Sequence, residues 1–251
     1  MFPHVGAASE LTRWATTVSL VEKSSFEISW AENIVGKNFD AVQLETGIYS
    51  RQAPGTSVLA APIYALTRIF TGAPETSNFR DSWFVMRLFL STLPLLLLGW
   101  WLYQRDSDEI SLATLLFATP LFVYSLLFYS HVLVAVLLYL AFRLLYDPER
   151  VFLRNCLSAG LVAGFAITCE LTALIPVIVF GTGLLFSRRS GYSRWQLSFV
   201  FLLGMLPSIA LLLFYNDRIF GSPLIFPYAF ESFPDLPDGS GQVVYGIGFP
   251  S

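Results

Sequence analysis

Apolar runs close to twenty residues long and nearly free of charge recur through the middle of the chain, a length that matches hydrocarbon thickness. They appear between Trp83 and Gln104, between Ile110 and Tyr146, between Leu157 and Phe186, and between Leu197 and Phe214. A water-soluble core could not hide so much apolar surface. With 55% hydrophobic and 13% charged residues, the chain lies far from an ordinary soluble domain, which is about 25% charged. The net charge of −3 and the absence of any Lys/Arg-rich run exclude the basic patch of a nucleic-acid binder. Cys156 and Cys169 have no C-x-x-C spacing, so neither a disulfide framework nor a zinc site is indicated.

The run from Ile110 to Tyr146 is too long for one helix and divides near Phe128, Tyr129, Ser130 and His131, with Pro120 inside the first part as a kink. The run from Leu157 to Phe186 carries Glu170 near its middle, where a charge facing lipid would cost on the order of 3 kcal/mol. Two short helices whose tip, near Thr168, Cys169 and Glu170, reaches a polar cavity avoid that cost. Six spans result, at 83–104, 110–127, 130–146, 157–168, 171–186 and 197–214. Loop charge agrees with this count, because Lys and Arg favour the cytoplasmic side. Arg105, then Arg150 and Arg154, then Arg188, Arg189 and Arg194 fall in three loops on one face. Residues 1–82, the Ser130–His131 turn, the Glu170 tip and the tail 215–251 then share the non-cytoplasmic face. The expected fold class is all-α, a polytopic helical membrane protein with a non-cytoplasmic region of surface helices.

Within the first eighty residues, Leu11, Trp14, Val18 and Val21 follow helical spacing while Glu10, Arg13 and Thr17 share another face. The pattern predicts an amphipathic surface helix with Ser9 as N-cap and Glu10 in the first turn, where the dipole favours a carboxylate. A second such helix is expected from Thr56 to Phe70, after the turn at Pro54 and Gly55.

Several short motifs stand in order along the chain. Glu10 precedes Arg13 and Trp14 by three residues, with Ser19, Leu20, Val21 and Glu22 following. Asp40 precedes Tyr49, Ser50, Arg51, Gln52, Ala53, Pro54 and Gly55. Tyr129, Ser130 and His131 form a turn, Glu170 lies in the next helical pair, and Tyr215, Asn216, Phe220, Gly221, Ser222 and Pro223 follow the last span. In this order they resemble the GT-C superfamily of membrane glycosyltransferases that use polyprenyl-phosphate sugars, including the protein-mannosyltransferase-like and aminoarabinose-transferase-like members. The resemblance covers most of this chain but about the N-terminal half of a family member, without the family's usual first helix. The chain is therefore expected to be a fragment or a naturally short relative. Two departures stand out: the acid is Glu10 where the family more often has Asp, and Gln52 replaces the family's Lys.

The resemblance implies inverting transfer of a sugar from a polyprenyl-phosphate donor to a lipid, glycan or protein acceptor, on the outer face of a bacterial inner membrane. Such a reaction needs a carboxylate to take the acceptor's proton and positive charge around the departing phosphate. It implies Glu10 as general base and Arg13, Asp40, Tyr49, Arg51, His131 and Glu170 as substrate-binding residues, with Arg13 and Arg51 meeting the phosphate. No cofactor is marked by a ligand motif; a divalent ion held by carboxylates is compatible with this face. Plainer roles stand beside these: a dipole-favoured acid for Glu10, a turn residue for Asp40, an interfacial hydrogen bond for His131, and charge pairing for Glu170. A transporter and a catalytically silent scaffold are the alternative functions.

Overall fold

The computed structural model describes residues 7–36, 40–75, 78–105, 108–146, 153–186 and 192–227. It is mostly helical, and two of its helices, Phe79–Tyr103 and Arg194–Phe220, are long and apolar enough to cross a bilayer. The N-terminal part comprises α1 (Ala8–Lys23), the short α2 (Glu32–Val35), an antiparallel hairpin of β1 (Ala41–Leu44) and β2 (Gly47–Ser50), and α3 (Gly55–Thr71). This hairpin departs from the purely helical expectation. It pairs Ala41 with Ser50 and Val42 with Tyr49, and Val42 packs with Tyr215 and Phe220.

The apolar part follows as α4 (Phe79–Arg87), a π-helical turn (Leu88–Thr92), α5 (Leu93–Tyr103), α6 (Glu109–Phe117), α7 (Pro120–Ser125), α8 (His131–Tyr146), α9 (Leu153–Cys169), α10 (Leu174–Phe186) and α11 (Arg194–Phe220). The π turn lies just before Pro94, whose missing N–H leaves a carbonyl of the preceding turn without its helical partner. The stretch expected as one kinked helix at 110–127 is instead two helices. Thr119, the residue before Pro120, is extended (φ −121°, ψ 163°), because the proline ring disfavours helical geometry in its predecessor. Thr119 Oγ1 then caps α7 by accepting from the Leu121 N–H. Glu170 is also extended (φ −159°, ψ 122°), so the helical run through it is broken where its charge falls.

Side-chain contacts fix the directions. Ser91 donates to the Tyr129 carbonyl, while Trp101 packs on Tyr139, so α5 and α8 run parallel. Gly160 lies against Phe201 and Gly204, and Gly164 against Met205 and Ser208, so α9 and α11 also run parallel. Phe201 reaches Gly181 and Tyr146 reaches Gly183, which returns α10 in the opposite direction. One end of the bundle thus holds Arg105 over Trp101, Arg143 over the same ring, and the starts of α9 and α11 with Arg154 and Arg194. Arg150, Arg188 and Arg189 lie outside the described residues, as does the tail beyond Pro227.

α1 is not a surface helix. It starts at Ala8, with Ser9 inside its first turn, and every residue from Glu10 to Ser19 is buried. Its apolar side packs through Leu11, Trp14 and Val18 onto α3, α4 and Phe128. Its polar side is closed by contacts from other segments instead of water, which is why amphipathic spacing looked like an interface. Thr17 donates to the Ser57 carbonyl, and the Trp14 indole N–H donates to Ser82 Oγ at 3.0 Å. The second predicted helix, 56–70, lies within α3.

Candidate functional site at the polar end of the bundle

At the end opposite Arg105 and Tyr146, five segments bring polar side chains together: α1, the residue before β1, the loop after β2, the turn before α8, and the break after α9. Arg13 projects from α1, and its Nη2 donates to Gln52 Oε1 at 2.6 Å and to Ser130 Oγ at 3.2 Å. Gln52 Nε2 donates in turn to Asp40 Oδ2 at 2.5 Å. Ser130 Oγ donates to Glu170 Oε2 at 2.9 Å, and His131 Nδ1 lies 2.8 Å from the same oxygen. Thr172 Oγ1 donates to the other oxygen, Oε1, at 2.9 Å. The result is a continuous chain, Asp40–Gln52–Arg13–Ser130–Glu170–His131.

Local structure explains each placement. Gln52 follows β2 in a turn where its N–H donates to Ser50 Oγ, and the Arg51 N–H donates to the Asp40 carbonyl at 3.1 Å, which fixes the two ends of the hairpin together. Gly55 begins α3 against the last turn of α9: a Cβ there would meet Thr168 Oγ1 at 2.5 Å and the Cys169 nitrogen at 2.7 Å. The turn before α8 places Tyr129 with its ring stacked on His131 at 5.4 Å, and Tyr124 meets the imidazole edge-on at 4.4 Å. The Arg13 guanidinium lies over the Tyr129 ring at 5.3 Å.

Burial grades this chain from a closed interior to an open edge. Arg13 is 2% exposed and Asp40 8%, whereas the side chains of Glu170 and His131 are 20% and 35% exposed. Burial pushes the Glu170 carboxyl upward, but hydrogen bonding and charge from His131, with Thr172 and Ser130 adding to them, outweigh it and hold the group below its ordinary value. Glu170 is therefore an ionised acceptor. Burial raises the Tyr129 phenol, with the charges of Glu10 and Asp40 acting in the same direction, so it stays a neutral hydroxyl.

Of the residues singled out from sequence, Arg13, Asp40, His131 and Glu170 belong to this chain of contacts. Arg51 is buried beside it, joined through its backbone to Asp40. Tyr49 lies on β2 with its hydroxyl toward the Thr46 carbonyl at 3.4 Å, in an exposed setting. Glu10 is not a link in this chain, although it lies close enough for its charge to act on Tyr129. Its carboxylate is fully buried and accepts from Arg87 Nε at 2.9 Å, Arg87 Nη2 at 3.0 Å, the Phe128 N–H and the Ala7 N–H. With both oxygens engaged and no exposed surface, Glu10 has no lone pair open to an acceptor hydroxyl, so this geometry does not suit the base role read from sequence.

Sequence reasoning did not assign Arg87, Gln52, Ser130, Tyr124 or Tyr129 to a role. For Arg87 a signal existed, since a charge inside an apolar run needs a buried partner. Gln52 had the opposite problem: it looked like a lost lysine, whereas an amide can accept from Arg13 and donate to Asp40 at once.

Among the described residues no group of three or more His, Cys, Asp or Glu side chains gathers to hold a metal ion. Comparison with known protein families, with curated proteins and with solved structures gives no match to this chain.

Proposed function

We propose that this chain is a polytopic membrane glycosyltransferase that moves a sugar from a polyprenyl-phosphate donor to an acceptor at the non-cytoplasmic face. The observation that carries this reading is the hydrogen-bonded chain from Asp40 to His131, built from five segments at one end of a bundle with apolar flanks. Leu96, Leu97 and Trp100 on α5, Ile175 and Val179 on α10, and Phe199, Leu202, Leu206 and Phe214 on α11 are exposed, and lipid is the solvent that makes such a surface stable. Arg105, Arg154 and Arg194 at the opposite end support a cytoplasmic setting for that end by the positive-inside rule, and hence an outer setting for the polar chain. A donor whose phosphate is anchored in the bilayer reaches that face laterally.

The chemistry asked of the site is dispersal of charge on a leaving phosphate and removal of a proton from the acceptor. Arg13, pinned by Gln52 and Ser130, and Arg51 are buried just behind the open edge, where their two positive charges favour a phosphate through the local field. Tyr49 offers a phenol hydroxyl for the sugar, and Asp40 holds Gln52 in place. Glu10 serves the framework instead, because with Arg87 it holds the start of α1 against the α4–α5 helix and the backbone before Tyr129. A transporter would be expected to carry its charge and helix break at mid-depth. Glu170 lies instead at the end of α9 beside Ser130, which favours surface chemistry.

The test is transfer of label from undecaprenyl-phosphate-linked glucose, mannose or aminoarabinose, by native membranes containing the chain, into lipid, glycan or protein. Label incorporation that depends on the chain and falls at least tenfold in Arg13→Ala supports the reading. Absence of transfer from all three donors overturns it and leaves the silent scaffold.

A further inference from the structure

We propose that His131 is the proton acceptor of the transfer reaction and that Glu170 is its positioning residue; this rests on the glycosyltransferase reading above. What each group is still free to do narrows the choice. Glu10 is closed on both oxygens, and Asp40 is nearly buried and accepts from Gln52. His131 is the most open member of the chain, and its second ring nitrogen, Nε2, has no hydrogen-bond partner among the described residues.

The tautomer follows from the partner. Glu170 is a carboxylate and can only accept, so in the neutral ring, the form able to take a proton, the hydrogen lies on Nδ1, which donates to Oε2 over 2.8 Å. The lone pair is then on Nε2, in a side chain that is 35% exposed. Tyr129 stacked on one face and Tyr124 against the edge hold the ring plane, while Thr172 and Ser130 hold the carboxylate. The charged groups linked to the imidazole by hydrogen bonds are Glu170 on the α9–α10 break and, through Ser130 and Glu170, Arg13 on α1. A carboxylate that orients an imidazole and stabilises the imidazolium formed during reaction is a standard arrangement for general-base catalysis.

In the transfer step the acceptor oxygen attacks the anomeric carbon and a new C–O bond forms, while its proton passes to His131 Nε2. The bond between the anomeric carbon and the phosphate oxygen breaks, and polyprenyl phosphate leaves with the electron pair toward Arg13 and Arg51. Imidazolium, paired with Glu170, returns its proton to water after release of product.

The experiment measures transfer by His131→Ala and Glu170→Gln in native membranes, with any of the three undecaprenyl-phosphate sugars that the wild-type chain uses. Retention of the donor by the purified proteins and rescue by added imidazole are followed in parallel. Expected for His131→Ala is a fall of about 100-fold or more with donor retention unchanged, and recovery of a substantial fraction of the rate with imidazole in the medium. Glu170→Gln is expected to lower the maximal rate by about tenfold or more with the KM for the donor unchanged, because the ring loses the carboxylate that fixes Nδ1–H and with it the orientation of Nε2. An undiminished rate in His131→Ala, or a loss that imidazole does not restore and that is accompanied by loss of donor retention, overturns the assignment alone. A wild-type chain that transfers nothing overturns the glycosyltransferase reading as well.

Discussion

Arg87 grips Glu10 through two guanidinium nitrogens, at 2.9 and 3.0 Å, and so ties the first turn of α1 to the long helix that starts at Phe79. Glu10 is fully buried, and its Oε1 also accepts from the Phe128 N–H. Removing one partner of a buried pair leaves an uncompensated charge, a loss of about 3–5 kcal/mol. Glu10→Gln and Arg87→Ala should therefore reduce the yield and thermal stability of detergent-solubilised protein. Transfer per folded molecule in Glu10→Gln should stay within about threefold of wild type. Loss of turnover with unchanged stability would instead return Glu10 to the chemistry.

Gln52 is bonded to a cation on one side and a carboxylate on the other. Gln52→Ala deletes both contacts, and a hydrogen bond to a charged group is worth about 1.5–3 kcal/mol. Arg13 then retains Ser130 but loses its shortest contact, so the KM for the lipid-linked donor should rise by about tenfold or more, with a smaller change in kcat. Gln52→Lys should not restore wild-type behaviour, because an ammonium cannot accept from Arg13. Kinetics with one labelled donor at varied concentration check both.

Gly160 and Gly204 face each other where α9 and α11 run side by side. A Cβ at Gly160 would stand 2.0 Å from the Phe201 carbonyl oxygen, and one at Gly204 would stand 2.2 Å from that of Leu157. Either alanine must push the two backbones apart, at a cost of about 1–3 kcal/mol or more. Gly160→Ala and Gly204→Ala are each expected to lower the unfolding temperature clearly, and Gly181→Ala, whose nearest contact is a ring carbon at 3.8 Å, to be nearly neutral. Thermal unfolding of the three variants in one detergent distinguishes them.

The Glu170 carboxyl is held below its ordinary value of 4.5 in the folded chain. Its contribution to stability is thus fully present above about pH 4.5 and is lost as pH falls through the lower folded-state value. Stability measured from neutral pH downward should show an acid-dependent loss that begins near pH 4.5 and continues below it. That component should be missing in Glu170→Gln.

The ends of the bundle differ in charge, and this sets the side each should face. A cysteine at Tyr192, just before α11, is expected to resist a membrane-impermeant thiol reagent in sealed cells, whereas one at exposed Glu45, in the hairpin turn, should be modified. Labelling with the opposite pattern would invert the orientation and remove the non-cytoplasmic site.

Much of the bundle was legible because length and charge act locally. Apolar run length located the helices, and Glu170 announced its own break because a charge inside such a run has to leave the helix or find a partner. The fate of α1 was not legible. Its spacing of Leu11, Trp14 and Val18 against Glu10, Arg13 and Thr17 is the same whether the polar side meets water or meets Arg87, Gln52 and Ser57 from distant segments. The β-hairpin escaped for a related reason: strands of four residues in a polar loop carry too little alternation to register. At the site, its charge within an apolar run marked Glu170 and the family resemblance marked Arg13 and His131, whereas Gln52 and Ser130 acquire their roles from neighbours that sequence spacing does not reveal.

The contact between Gly55 and the last turn of α9 bears on how such a site can change over evolutionary time. Backbone meets backbone there, so the interval between the loop bearing Gln52 and the extended residue Glu170 is set without reference to the polar side chains on either side. Residues on either side can be exchanged while that interval stays constant. One polar side chain can give way to another, and the frame around them keeps its dimensions. What such a joint protects is spacing, and new specificities can be explored inside it one side chain at a time.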